Sequence, residues 1–95
     1  MSGRLDPSTG TLTLTDSVVT ANTTTGNGGG IYNDGTLILD GTSVTNNMAA
    51  NGGGINNSGV ATLTDSSVVN NSATVDGLPA GHGGGIFVQD GSLTL

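Results

Sequence analysis

The sequence predicts an all-β chain, a parallel β-helix in which short strands stack unit upon unit. Three observations carry that expectation. A pattern of residues recurs about every 24 positions, each recurrence opens with apolar residues at every second position, and the composition disfavours helices. The 95 residues contain no Lys and no Glu, and few strong helix formers beyond Leu and some Ala. Thr, Val and Ile, the β-branched residues, are abundant.

The recurrence is visible by eye. One unit spans 10–34 as GTLTLTDSVVTANTTTGNGGGIYND, and a second spans 35–58 as GTLILDGTSVTNNMAANGGGINNS. A third, 59–90, begins GVATLTDSSVVNNSATV, and a partial fourth, 91–95, reads GSLTL. Residues 1–9 form an irregular N-terminal segment. The expectation is therefore about three coils of 24–25 residues with three short strands each, followed by the opening of a fourth.

The first strand of each unit is an alternation. Leu12 and Leu14 are separated by Thr, as are Ala61 and Leu63, while Leu37 and Leu39 flank Ile38. A period of two puts one set of side chains inward and the other outward. The second strand centres on Val19, Val44 and Val68, and the third contains Ile31, Ile55 and Ile86. With strands of neighbouring units about 4.8 Å apart, like lies on like. The expected core columns are Leu14–Leu39–Leu63, Val19–Val44–Val68 and Ile31–Ile55–Ile86. Gly and Asn at the joins supply the positive φ that tight corners need.

Asn22, Asn47 and Asn71 recur at the same intervals of 25 and 24 residues. Amides one coil apart can hydrogen-bond to each other and also cap the turn backbone, so these three are expected to form a structural ladder. The third unit is longer. The segment 72–82 is read as a corner insertion, and its Val75, Leu78 and His82 form the candidate partner loop, because scaffold-held loops often carry recognition.

Composition excludes several functions. A net charge of −6 with Arg4 as the single strong base gives nothing to displace counterions from phosphate, so no nucleic-acid partner is expected. The same deficit speaks against anionic membrane surfaces, and no apolar run approaches the roughly 20 residues of a membrane span. The start, MSGRLDPSTG, lacks the apolar stretch of a signal peptide. Absence of Cys removes disulfides and thiolate chemistry together. Catalytic residues, a cofactor and a metal site are all expected to be absent. The seven Asp residues do not recur as a carboxylate pair or cage, and the calcium-roll repeat Gly-Gly-x-Gly-x-Asp does not occur.

Each unit pairs Val-x-x-Asn (Val19–Asn22, Val44–Asn47, Val68–Asn71) with a later Gly-Gly-Gly-Ile. This resembles the repeat of the chlamydial polymorphic outer-membrane protein family. There an aromatic or aliphatic residue, two further residues and Asn precede Gly-Gly-Ala-Ile or a similar string. In this chain Val stands where Phe is usual, and Gly where the motif has Ala. The resemblance implies right-handed coiling and a cell-surface, outer-membrane or secreted setting, with a non-catalytic structural or adhesive role toward an unidentified surface or host partner. Two other readings accompany it. A ligand- or ice-binding solenoid would use the outward Thr columns, and a carbohydrate-active β-helix would be present here as a remnant without catalytic residues. Strand edges left unpaired at the ends of such a stack also predict end-to-end self-association.

Overall fold

The computed structural model describes residues 10–74, 83–88 and 91–95. Among them every regular element is a strand and none is a helix. In chain order the strands are β1 (Thr11–Thr15), β2 (Val18–Thr20), β3 (Ile31–Asn33), β4 (Thr36–Asp40), β5 (Ser43–Thr45) and β6 (Met48–Ala49). They continue as β7 (Ile55–Asn57), β8 (Val60–Thr64), β9 (Ser67–Val69), β10 (Ser72–Ala73), β11 (Ile86–Val88) and β12 (Ser92–Thr94).

All strand pairs are parallel, and each strand pairs with its equivalent in the neighbouring unit. The sheets are β1-β4-β8-β12, β2-β5-β9, β3-β7-β11 and the two-stranded β6-β10. Parallel sheets joined in this order are consistent with a β-helix. Register is set by the alternation, because a one-residue slip would turn every Leu outward. Leu14 lies opposite Leu39 and Leu39 opposite Leu63, Val19 opposite Val44 and Val44 opposite Val68, and Ile31 and Ile86 flank Ile55. Leu37, Leu39, Val44 and Ile55 are fully buried, and Val68, Ile86 and Leu93 are half-buried against the same cluster.

The expectation of three strands per unit is corrected to four strand positions. The extra one, β6 and β10, is only two residues long, with Thr23 bridging to Met48 in the first unit. A two-residue strand contains one alternation, too short to stand out as a periodic signal. Its inward residue is the buried Ala49. Ser72 and Ala73, which open the segment read as a corner insertion, pair in register with Met48 and Ala49 as part of this position. The candidate partner loop residues Val75, Leu78 and His82 lie outside the described residues, as does the segment 1–9.

Three corners recur with left-handed backbone. The first is Asp16, Gly41 and Asp65 (φ 48°, 61° and 48°), the second Ala21, Asn46 and Asn70 (60°, 56° and 56°), and the third Gly28, Gly52 and Gly83 (70°, 61° and 61°). Asp, Asn and Gly are the residues that tolerate this region, which explains why Gly41 is the equivalent of two aspartates. At the third corner only Gly fits: a Cβ on Gly28 or Gly52 would sit 2.5 Å from the carbonyl oxygen of Ile31 or Ile55.

Candidate functional site

The polar chemistry of the chain is concentrated at its corners. At the second corner the left-handed residue turns the chain so that the following Asn points inward. Asn22 donates to Asn47 Oδ1 from both its backbone N (3.0 Å) and Nδ2 (2.9 Å). Asn47 repeats the arrangement onto Asn71 Oδ1, at 2.9 and 3.0 Å. Each amide also reaches a backbone carbonyl of the unit before it, with Asn47 Nδ2 donating to Val19 O at 3.1 Å and Asn71 Nδ2 to Val44 O at 2.9 Å. Asn47 thus uses both lone pairs of its oxygen and both of its N–H bonds while 2% exposed.

Two further amide pairs follow the same 24-residue interval. Asn33 Nδ2 donates to Asn57 Oδ1 at 2.7 Å, and the two side-chain oxygens accept from Gly35 N and Gly59 N, closing the turn into the next strand. Asn57 Nδ2 then donates to Ser92 O at 2.7 Å. At the third corner Asn51 Nδ2 donates to Asn27 Oδ1 at 2.9 Å. These four residues were absent from the expected ladder, although the 24-residue spacing repeats them in the first two units. The first corner uses hydroxyls instead. Ser17 N donates to Thr42 Oγ1 and Thr42 N to Ser66 Oγ, while buried Thr42 donates back to Leu14 O at 3.1 Å.

The outward faces of β2-β5-β9 and β1-β4-β8-β12 differ. On β2-β5-β9 the hydroxyls bond along the column, Thr45 to Thr20 and Ser67 to Ser43, each at 3.2 Å. On β1-β4-β8-β12 the rows are Thr11–Thr36–Val60–Ser92, Thr13–Ile38–Thr62–Thr94 and Thr15–Asp40–Thr64. There the side chains of Thr11, Thr13, Thr36 and Thr62 have no hydrogen bond among the described residues. Asn56 is a third kind of polar group. It lies between Tyr32 and Phe87 in β3-β7-β11, is fully buried, and has no hydrogen-bond partner for either side-chain atom among the described residues.

These arrangements hold backbone and hold each other. Among the described residues, the side chains in these ladders are uncharged amides and hydroxyls that bond to one another and to the backbone. No three of His, Cys, Asp or Glu come together among them. No helix among them is long and apolar enough to cross a membrane.

Residues 16–34 match the family model of the Chlamydia polymorphic membrane protein repeat. The matched stretch contains all three corners of unit one, the Asn22 ladder position, the triple glycine and Ile31. That repeat marks a segment of surface or outer-membrane proteins and is non-enzymatic at the level of the family. No curated protein and no solved structure matches the chain.

Proposed function

We propose that this chain is a non-catalytic structural or adhesive segment of a right-handed parallel β-helix, exposed at the cell surface or outer membrane. The observation that carries the reading is the coincidence of the matched repeat, residues 16–34, with a unit whose strands and amides stack on their equivalents in the next unit. Such stacking makes a rod whose length follows from the number of units, while the outward residues remain free to vary. On this reading residues 10–34, 35–58 and 59–90 are successive closed coils, and 91–95 opens a fourth. The work of the segment is to hold an outer surface rigidly, with an unidentified host or surface partner contacting that surface. Protease shaving of intact source cells, followed by detection of peptides from 10–74, tests the placement. Release of these peptides from unbroken cells is expected, and recovery only after lysis overturns it.

The unpaired outward hydroxyls of β1-β4-β8-β12 favour a second reading, a face that orders water or ice. Strand spacing and the alternation place these side chains on a grid of about 4.8 by 6.7 Å. Thermal hysteresis of the chain in a nanolitre osmometer separates the readings. Faceted ice growth supports the second, and its absence leaves the surface-rod reading alone. Edge strands of the stack also support end-to-end association as the partner mode of the isolated chain. A sedimentation coefficient that rises with concentration is expected, and a constant monomer value overturns it.

A further inference from the structure

The third corner places two structural demands side by side. The residue at 28 and 52 has to be Gly, because φ is 70° and 61° and a Cβ would meet the carbonyl oxygen three residues on. The residue before it has to bond across units, and Asn does so: Asn51 Nδ2 donates to Asn27 Oδ1 at 2.9 Å, while Gly28 N donates to Asn51 O at 2.9 Å. Together they write Asn-Gly at 27–28 and again at 51–52. This dipeptide has its own chemistry, because Gly has no side chain to shield its backbone nitrogen.

We infer that Asn27–Gly28 and Asn51–Gly52 are modification sites, where spontaneous succinimide formation is held off by the inter-unit bonds that the two dipeptides make. In the reaction the backbone nitrogen of Gly28 loses its proton to hydroxide and attacks Asn27 Cγ. The new N–C bond closes a five-membered ring, the Cγ–Nδ2 bond breaks, and the nitrogen leaves as ammonia after taking a proton from water. Water then opens the ring at either carbonyl, giving Asp or isoaspartate. In the folded chain the nucleophile is committed to Asn51 O and the electrophilic amide to Asn51 Nδ2, so the reaction waits on local opening. At Asn51–Gly52 the electrophilic amide is held in turn by its Nδ2 bond to Asn27 Oδ1, and turning its carbon toward the Gly52 nitrogen breaks that bond.

The consequence is structural. Isoaspartate lengthens the main chain by one carbon just ahead of a glycine whose N–H is already paired. The next bonds in line run from Gly29 N to Gly52 O (3.1 Å), from Gly30 N to Gly54 O (3.0 Å) and from Ile31 N to Gly54 O (2.9 Å), and the last keeps Ile31 opposite Ile55 in the core. A one-atom slip there breaks the register that buries both isoleucines. The corner thus carries a slow, irreversible opener whose rate reports how often neighbouring units part. In the third unit His82 precedes Gly83, so the sequence carries no Asn-Gly at the equivalent position.

Peptide mapping by mass spectrometry, with isoaspartate quantified, tests this in mildly alkaline buffer. The 95-residue chain is incubated folded and, in parallel, in concentrated urea. Deamidation at both positions is expected to be slower in the folded chain by about tenfold or more, as for chemistry that needs local opening. Strand circular dichroism should fall as isoaspartate accumulates. Asn51→Ser, which removes the donor to Asn27, should raise the folded-state rate at Asn27 severalfold. If that variant does not fold, the wild-type comparison still decides. Equal rates in buffer and urea overturn the protection, and accumulation of isoaspartate with unchanged circular dichroism overturns the structural consequence.

Discussion

Asn47 and Asn56 belong to the same repeat unit, and both are out of contact with solvent, at 2% and 0% exposure. Asn47 fills every hydrogen-bonding position of its amide, whereas Asn56 has no partner among the described residues. The difference comes from what precedes each residue. Asn46, with φ 56°, turns the chain so that the next side chain faces the interior, where carbonyls and the neighbouring amides converge. Asn56 sits mid-strand in β7 between Tyr32 and Phe87, where the flanking positions offer rings. A buried amide in a stack of this kind stabilises it where it reaches turn backbone or another amide, as Asn47 does at its corner and Asn33 and Asn57 do at the ends of β3 and β7. Along a flat strand the same residue is a cost.

The largest expected effect breaks the favourable half of this contrast. Asn47→Ala strips partners from Asn22 N, Asn22 Nδ2 and Val19 O at once, all in the interior. Leaving buried groups unsatisfied costs about 1–3 kcal/mol each. A loss of at least about 3 kcal/mol is therefore expected in urea melts, a large share of the roughly 5–15 kcal/mol that holds an ordinary domain. A loss near that of an exposed substitution would show that the ladder is spectator geometry.

The next effect has the opposite sign. Asn56→Val removes an amide with no partner among the described residues and replaces it with a strand-favouring side chain. It should stabilise by about 1–2 kcal/mol, since the desolvation penalty disappears and no bond to a described residue is lost. Thermal melting checks this, and destabilisation by the substitution would show that the amide has a role its neighbours do not reveal.

A smaller gain tests why Asn47 points inward. Ala21 holds the same left-handed position as Asn46 and Asn70, at φ 60°, without a side chain suited to it. Ala21→Asn should stabilise by about 0.5–1 kcal/mol, part of the roughly 1–2 kcal/mol that left-handed backbone costs an ordinary residue. Unchanged stability would mean that the corner is held by its inter-unit bonds alone.

Much of this architecture is legible from residue spacing. Leu12 and Leu14, Leu37 and Leu39, and Ala61 and Leu63 announce strands whose parallel pairing the structure carries, because period-two burial and a 24-residue recurrence are both long enough to count. The β6 and β10 position escapes the same reading because two residues make no period. Asn33 and Asn57, and Asn27 and Asn51, are readable in the same way as Asn22 and Asn47, being 24 residues apart where that pair is 25 apart. Asn56 is different. Nothing in its spacing distinguishes an inward corner amide from one buried on a strand, and Tyr32 and Phe87 share its column without sharing its chemistry.

The smallest expected effect supplies the third case that the contrast needs, a polar group that is unpartnered but wet. Thr13 is exposed on β1, opposite Ile38, and its hydroxyl bonds to no described residue. Water satisfies it in the folded and unfolded chain alike, so Thr13→Ala removes no buried bond and leaves no orphan. What remains is the loss of a β-branched side chain on the rim of a four-stranded sheet, which disfavours the strand slightly. The change in unfolding free energy should stay within about 0.5 kcal/mol. Parallel urea melts of Thr13→Ala and Thr42→Ala sharpen the point, because Thr42 is the buried hydroxyl that accepts from Ser17 N and donates to Leu14 O. A clear loss in the second beside none in the first assigns the difference to burial and pairing together. Equal losses would place the weight on Thr side chains as strand formers and not on their hydroxyls. The same result also decides how the outward face can be studied. If Thr13 is silent in stability, a change in ice growth or partner adhesion on substituting it reports on that surface and not on the fold beneath.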